Sequence, residues 1–313
     1  MQQTIAVLGE ALIDLVEDGD DEARLARPGG SPYNVALGLA RLGHPAAFVG
    51  RLSRDPLGTI LRNHALRSGV DLSLSVDAPE PSTVALLELS AGVAQYRFGA
   101  DGTADFRWTD AELALLTADV AALHFGSLAS WLPPGDTAVL RRVETLRADV
   151  LISYDPNVRP HLQPDAAAAR RQVERAVALA HLVRTSEEDL AHLYPGGDAG
   201  DVARGWLGLG PALVVVTRGG DGARAHTTSL DVARGVPVID VVDTVGAGDA
   251  FTSGLLATLA QRELLDAAAL TALDTQTLGA VLDDAALVAA LTCSRAGATP
   301  PRRADLDAFT ASG

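Results

Sequence analysis

The chain alternates short apolar runs with segments whose apolar residues recur at helical intervals. Residues 4–9 (TIAVLG) form an apolar run, and residues 34–43 (NVALGLARLG) follow with helical spacing. Buried runs that alternate with helices are typical of a parallel sheet with helices on both faces, so the pattern predicts an α/β fold. The further predicted strands cover 46–50, 119–126, 149–155, 181–186 and 212–217, and the further predicted helices cover 56–69 and 166–180.

Two segments interrupt this alternation. Residues 11–19 (ALIDLVEDG) lead into an acidic, turn-rich stretch, and residues 82–108 contain two strand-like runs around Ser90-Ala91-Gly92. The second run alternates roughly between apolar and polar residues, as antiparallel strands with one solvated face do. We interpret the two segments, about 11–32 and 82–106, as a small antiparallel flap outside the main sheet. The alternative is an ordinary edge hairpin.

Composition limits the classes of partner. The chain has 313 residues, 48 % of them apolar, a net charge of −15 and a pI near 4.8. An acidic surface disfavours nucleic-acid and anionic-membrane partners. The first residues carry Glu10 and Asp14 without a basic region, and no uncharged apolar run reaches membrane-spanning length. We therefore expect a cytoplasmic protein with no membrane segment.

The sequence contains no lysine, so all 25 basic side chains are arginine. A Schiff base cannot form, and the lysines of P-loop proteins and protein kinases have no counterpart here. Any phosphate chemistry must therefore depend on backbone N–H groups, helix dipoles, arginine and metal ions.

Residues 243–251 (DTVGAGDAF) place three small residues, Gly246, Ala247 and Gly248, immediately before Asp249 and an apolar helical pattern. Free N–H groups at a helix N-terminus attract anions, and small residues let a phosphate reach them. An ionised Asp beside that phosphate can take the proton from an attacking hydroxyl. The alternative is a first-turn Asp that only complements the helix dipole.

A second motif covers residues 28–43 (PGGSPYNVALGLARLG). Gly29 and Gly30 allow the backbone to approach a ligand closely, and the amide of Asn34 can cap a helix or bind a hydroxyl. Alone, these residues would equally fit a plain turn and helix cap.

Together these motifs resemble those of the ribokinase-like (PfkB) carbohydrate kinases over nearly the whole chain, and most closely the fructokinase-like branch. The resemblance implies one Rossmann-like three-layer α/β/α sandwich domain, residues 1–313, with a small β-sheet lid. It also implies transfer of the ATP γ-phosphate to a sugar hydroxyl with Mg²⁺ and leaves open a monovalent cation such as K⁺. We expect a homodimer, because exposed edges and apolar faces of the flap are unfavourable in isolation. Four further matching segments follow in the family's order: 155–160 (DPNVRP), 185–190 (TSEEDL), 214–223 (VVVTRGGDGA) and 289–301 (AALTCSRAGATPP).

The resemblance assigns roles by position. Asp249 corresponds to the catalytic base, and Gly246, Ala247 and Gly248 to the anion hole. We expect a side chain at Gly248 to be excluded both by the phosphate and by its φ angle. The expected sugar contacts are Asp14, Gly29, Gly30 and Asn34, and the expected nucleotide contacts are Ser186, Thr217, Gly219, Gly220 and Gly222.

One segment departs from the family pattern. Many members carry Asn-x-x-Glu, tied to magnesium and phosphate, where this chain has Ser186 and Asp189. Asp189 is therefore a candidate metal ligand, and the alternative is a helix N-cap, Ser186, followed by first-turn acids.

Two arginines, Arg97 and Arg159, bear on the substrate. Arginine in a pocket suits a carboxylate or a polarised carbonyl, and the related ketodeoxygluconate kinases use arginines at matching positions. Those kinases also have an aromatic residue where this chain has Gln95, so we favour a neutral sugar, D-fructose.

Several other functions stay open as alternatives. Among kinases these are 2-keto-3-deoxygluconate kinase and ribose or nucleoside kinase. A catalytically silent sugar or nucleotide sensor would not need Asp249. A dinucleotide-dependent oxidoreductase would need a G-x-G-x-x-G after the first strand, which is missing.

Overall fold

The structure is a computed structural model and describes residues 4–17, 24–90 and 93–312. The strands within them are β1 (Ile5–Leu8), β2 (Leu12–Glu17), β3 (Arg24–Gly29), β4 (Ala46–Val49), β5 (Arg51–Ser53), β6 (Val76–Ala78), β7 (Val84–Ser90), β8 (Val93–Gly99), β9 (Ala122–Gly126), β10 (Leu151–Asp155), β11 (Leu182–Ser186), β12 (Leu213–Thr217), β13 (Ala223–His226) and β14 (Asp231–Arg234). The helices are α1 (Ser31–Arg41), α2 (Pro56–Arg67), α3 (Asp110–Leu113), α4 (Asp136–Leu146), α5 (Ala166–Val177), α6 (Glu187–Leu193), α7 (Ala199–Leu207), α8 (Ala247–Gln261), α9 (Ala267–Thr271), α10 (Thr275–Cys293) and α11 (Arg303–Ser312).

The main sheet has the strand order β14-β13-β12-β11-β10-β9-β1-β4. Pairing is parallel from β12 to β4, and β13 and β14 extend the sheet as antiparallel strands. Neighbouring residues of β1 enter different apolar clusters, because successive side chains of a strand point to opposite faces. Ile5 joins the cluster that contains α1, α8 and α10, and Ala6 joins the one that contains α4, α5 and α7. The predicted three-layer α/β/α fold is confirmed.

The predicted flap is a separate four-stranded sheet with the order β3-β2-β7-β8. Its pairing differs from the expectation in one place, because β2 and β7 run parallel while the two outer pairs are antiparallel. Parallel neighbours need a long connection, and α1 and α2 lie between these strands in the chain. The strands of this sheet lie within the predicted segments: β2 begins at Leu12, β3 ends at Gly29 and β8 ends at Gly99. The predicted positions 18–23 and 91–92 lie outside the described residues.

Helix α10 is long and apolar enough to span a membrane by length and composition alone. It packs instead against α8: a Cβ on Gly254 of α8 would lie 3.0 Å from Ala285 Cα and 3.0 Å from Val288 Cβ. Leu278, Val281 and Leu282 of α10 are also fully buried. We therefore treat α10 as a core helix of the sandwich.

The centre of the sheet leaves no room for a side chain on Gly126, and this generates a prediction about stability. A Cβ there would lie 2.0 Å from the carbonyl oxygen of Asp155 on the neighbouring strand, whereas nothing lies within 4 Å of a Cβ on Gly205 in α7. We expect Gly126→Ala to lower the free energy of unfolding by about 1–3 kcal/mol through overpacking. The control Gly205→Ala should raise it by up to about 1 kcal/mol through helix propensity.

Urea denaturation of both variants measures these two changes. Equal denaturation midpoints for Gly126→Ala and the unmodified protein would contradict the close approach of β9 and β10.

Candidate active site

The N-terminus of α8 is open to an anion. Gly246 is the N-cap, with φ of +76°, and no side chain caps this end. A Cβ on Gly246 would lie 2.6 Å from the Cβ of Ala298, so both the backbone angle and the space require glycine. The first N–H groups of a helix have no intrahelical acceptor and carry the positive end of the dipole. They can therefore bind a phosphate.

Asp249 lies in the first turn of α8 and is 9 % exposed. Ser31 Oγ donates a hydrogen bond of 2.6 Å to its Oδ1, and Asn34 Nδ2 donates one of 2.9 Å to its Oδ2. Burial raises the pKa of Asp249 to about 6, and the charge of Asp155 adds to the rise, while Ser31, Asn34 and Arg184 oppose it. At neutral pH the carboxylate is ionised yet more basic than an exposed one, which suits a general base.

A cavity of about 170 Å³ lies on one side of Asp249. Burial raises the pKa of Asp14 in this cavity to about 6, and Arg159 opposes that rise. Gly29 does not line this cavity. A Cβ on Gly29 would lie 2.2 Å from Asp14 Oδ2, so the glycine makes room for the Asp14 carboxylate. The lining brings together the predicted residues Asp14, Gly30, Asn34, Arg159, Gly246 and Asp249 with Glu10, Leu12, Ser31, Ser127, Leu128 and Val245.

A second cavity, of about 180 Å³, lies on the other side of the same helix end. Ala247 and Gly248 line it, so the two cavities meet at the first turn of α8. Gly220 lies in the adjoining turn Gly219–Asp221. The remaining lining residues include the predicted Ser186, Thr217, Gly219 and Gly222 together with Arg184, Glu188, Val236, Phe251, Ala286 and Ala289.

A third cavity, of about 810 Å³, is larger and contains none of the predicted residues. His44, Ala121 and Asp149 line it, and they precede β4, β9 and β10. In open parallel sheets, ligands bind at the carboxyl ends of the strands, where the first two cavities lie. Size alone therefore does not identify the site.

Arg184 in β11 lines the second cavity, and the sequence motifs did not indicate it. Its Nη1 donates to Asp155 Oδ2 at 2.9 Å, and its Nη2 donates to Thr217 Oγ1 at 2.5 Å. Burial opposes the charge, but Asp155 together with Asp189 and Asp249 outweighs burial and raises the pKa of Arg184, which therefore stays protonated. The signal in the sequence was a charged residue within an apolar strand of a chain that has no lysine.

Of the two reasons expected for glycine at position 248, the structure contradicts one and adds another. Its φ lies in the ordinary helical range, so the expectation of a φ restriction there was wrong. A Cβ at this position would lie 2.8 Å from Arg184 Nη1. Glycine here therefore lets the guanidinium approach the anion-binding turn.

The segment that departs from the family pattern forms a helix cap. Asp189 N donates to Ser186 Oγ at 3.0 Å, and Ser186 N donates to Asp189 Oδ2 at 3.2 Å, which is a capping box at the start of α6. Val158 N donates to the other oxygen, Asp189 Oδ1, at 2.9 Å. Because each carboxylate oxygen already accepts a backbone hydrogen bond, the geometry favours the N-cap interpretation over a metal ligand at Asp189.

Of the two arginines that were expected to contact the substrate, the structure describes the side chain of Arg159 but not that of Arg97. Arg159 lines the first cavity, the one that contains Asp14, and its Nη1 donates to Asn157 Oδ1 at 2.5 Å. The side chains of Arg97 and Gln95 lie outside the described residues, so their expected roles stay predictions.

Comparison with known proteins identifies the family. The profile of the pfkB family carbohydrate kinases matches residues 2–305. A fructokinase of Klebsiella pneumoniae is 37 % identical over 292 residues, which is 90 % of this chain and 93 % of the relative. A fructokinase of Rhizobium leguminosarum bv. trifolii is 36 % identical over 277 residues, covering 88 % and 85 %. The chain therefore belongs to the pfkB family of carbohydrate kinases and is an enzyme of that class.

Solved structures of three kinases are also similar. A fructokinase from Xylella fastidiosa with bound ATP has a TM-score of 0.92 and 27 % identity, covering 100 % of this chain and 99 % of its own. A fructokinase from Vibrio cholerae O395 with fructose, ADP and calcium has a TM-score of 0.84 and 27 % identity, with 98 % and 99 % covered. An aminoimidazole riboside kinase from Salmonella enterica, with its riboside and an ATP analogue, has a TM-score of 0.82 and 26 % identity, with 98 % and 99 % covered.

The raised pKa of Asp249 generates a prediction about catalysis. A base must be ionised, so kcat/KM should fall about tenfold per pH unit below a pH of about 6. Asp249→Asn should lower kcat by about two to four orders of magnitude. ATP binding should remain, because Asp249 does not line the second cavity, and the fold should tolerate the change, because the Asn34 amide can turn its unpartnered Oδ1 towards the new amide.

Stability should not fall in Asp249→Asn at pH 7. Between pH 3.8 and about 6 the native state binds more protons than the unfolded state, so ionising this buried group lowers stability as the pH rises. Steady-state kinetics across pH 5–8 test the catalytic role of Asp249, and calorimetry tests whether Asp249→Asn still binds ATP. Turnover near that of the unmodified enzyme would exclude Asp249 as the base.

Proposed function

We propose that this chain is an ATP-dependent fructokinase in which Asp249 is the general base. The observation that carries the proposal is the position of Asp249, which lies at a helix N-terminus where two cavities meet. The sugar occupies the cavity with Asp14 and Asn34, and ATP occupies the cavity with Thr217 and Gly219.

The reaction is a direct phosphoryl transfer. A sugar hydroxyl gives its proton to Asp249 while its oxygen forms a bond to the γ-phosphorus of ATP. The bond from that phosphorus to the β–γ bridging oxygen breaks, and its electron pair leaves with ADP. The N–H groups of the first turn of α8 stabilise the charge on the transferred group.

Arg184 adds a fixed positive charge at this point. Its guanidinium lies against Gly248 and is held by Asp155 and Thr217, so no reorganisation is needed when charge develops on the phosphoryl group. In a chain with no lysine, this arginine provides the charge that a lysine provides in other phosphotransferases.

The nucleotide cavity can hold Mg²⁺ when the nucleotide itself provides most of the ligands. Among the described residues, no group of three His, Cys, Asp or Glu side chains could hold a metal ion alone. Glu188 lines the cavity and offers the oxygen ligands that Mg²⁺ prefers. The ion would be held by ATP phosphates and Glu188, and it would neutralise phosphate charge.

The charges around the sugar cavity support a neutral substrate. Among the described residues, Glu10, Asp14 and Asp249 line it together with one cation, Arg159. The carboxylates of Asp14 and Asp249, which are ionised at neutral pH, repel the carboxylate of an acid sugar, while carboxylate and amide groups bind hydroxyls well. The names of the relatives agree with fructose as the acceptor.

We further propose that the sheet β3-β2-β7-β8 closes over the sugar and excludes water from the transfer. Strand β2 contributes Asp14 to the sugar cavity, so motion of this sheet would change access to it directly. Its edge strands would pair in a homodimer, and the enzyme would act in the cytoplasm.

The contact between Gly248 and Arg184 generates a prediction for the phosphate site. Gly248→Val would push the guanidinium away and cover the first-turn N–H groups, so kcat should fall by at least about 10²–10³, as after loss of an oxyanion donor. Fructose affinity should change little, because Gly248 lines the other cavity. Steady-state kinetics and sugar calorimetry measure the two effects, and ATP turnover that survives this change would exclude the turn as the anion site.

The charge around Arg159 generates a prediction for the substrate. In a panel with ATP, scored by ADP release, we expect D-fructose to have a higher kcat/KM than ribose, aminoimidazole riboside and 2-keto-3-deoxygluconate. Arg159→Ala should lower kcat/KM for fructose by a factor that corresponds to a free energy of about 0.5–1.5 kcal/mol, which is the net contribution of an ordinary hydrogen bond. A higher kcat/KM for 2-keto-3-deoxygluconate than for fructose would overturn the choice of substrate.

A further inference from the structure

Ser127, directly after β9, has a backbone conformation that is costly for a residue other than glycine. Its φ is +51° and its ψ is −149°, close to a region that is essentially restricted to glycine. Backbone hydrogen bonds hold it there: Ser127 N donates to Asp155 O at 2.9 Å, and Ser130 N donates to Ser127 O at 3.1 Å. Serine at this position therefore has a cost that glycine would avoid, which indicates that its side chain has a use.

The hydroxyl of Ser127 is buried without a partner. The residue is 1 % exposed and lines the sugar-side cavity, and its Oγ makes no hydrogen bond among the described residues. Asn34 Oδ1, which belongs to the same lining, also has no partner among those residues. An unpaired buried polar atom is unfavourable, so two such atoms around one cavity point to a polar ligand that pairs with both.

Glu10 makes the chemistry of this part of the cavity more specific. It is buried in the same lining, and its Oε2 accepts a hydrogen bond from Ala129 N at 3.3 Å. Burial raises the pKa of Glu10, and the nearby Ser127 hydroxyl and Arg159 oppose that rise, although Ser127 Oγ does not reach hydrogen-bond geometry. A serine hydroxyl both donates and accepts, and a carboxylate only accepts. A hydroxyl of a ligand meets both requirements, because it accepts from one group and donates to the other.

We propose that Ser127 is a specificity-determining residue whose Oγ hydrogen-bonds a sugar hydroxyl other than the one that Asp249 deprotonates. The inference rests on the proposed sugar kinase function and extends it. The costly backbone of Ser127 is retained because it holds Oγ at the cavity beside Glu10.

Two variants separate this role from a structural one. Ser127→Ala removes the hydroxyl and keeps the conformational cost, and Ser127→Gly removes both. We expect each variant to lower kcat/KM for fructose about 5–10-fold, mainly through KM for the sugar, with KM for ATP unchanged. Urea denaturation should show Ser127→Gly more stable than the unmodified protein and Ser127→Ala no less stable. Lower stability in both variants with unchanged kcat/KM would identify a structural role and overturn the proposal.

A panel of monodeoxy fructoses provides the sharper test. For the unmodified enzyme, each missing hydroxyl that is normally bound should lower kcat/KM. In Ser127→Ala, one deoxy sugar, the one that lacks the partner hydroxyl of Ser127, should show no further loss, while the losses at other positions should add. Additive losses at every position would overturn the proposal while the kinase function stands. If the unmodified enzyme phosphorylates none of the sugars, the proposed function fails and this inference fails with it.

Discussion

The hydrogen bonds from Ser31 and Asn34 to the carboxylate of Asp249 are the contacts on which the site depends. They join the first turns of α1 and α8, which are 215 residues or more apart in the chain. Two helix N-termini therefore converge on one buried carboxylate, and their dipoles favour its charged form while burial disfavours it. The balance leaves a carboxylate that is ionised at neutral pH and still accepts a proton readily, as the proposed general base must.

The first turn of α8 lines both cavities. One face of the first turn of α8 borders the cavity with Asp14 and Glu10, and the other face borders the cavity with Thr217. Arg184 lies at the boundary, where Asp155 compensates its buried charge. Three carboxyl groups thus line the first cavity and Arg184 lines the second, an arrangement that suits the proposed transfer from an anionic donor to a neutral acceptor.

The predicted elements and their observed counterparts agree where the local pattern is strong. The apolar runs at 119–126 and 212–217 contain β9 and β12, and the helical spacing at 166–180 contains α5. The flap was found from the break in this rhythm, but the parallel pairing of β2 with β7 was not, because strand pairing is decided by how distant segments meet. At the site, the roles of Asn34 and Asp249 were predictable from two motifs and that of Asp14 from the family resemblance, whereas Arg184 and Ser127 lie in no motif whose chemistry was recognised beforehand.

The sequence by itself determined the class of fold and the helix that carries the proposed base, and it excluded lysine from any phosphate chemistry. These properties follow from local periodicity and residue type. Only the tertiary structure decided why Gly248 must lack a side chain, which carboxylate caps a helix and which hydroxyl is left without a partner. Each of these depends on a contact between residues far apart in the chain, such as Arg184 with Gly248, and the free energy of such a contact is set by burial and distance in the folded state.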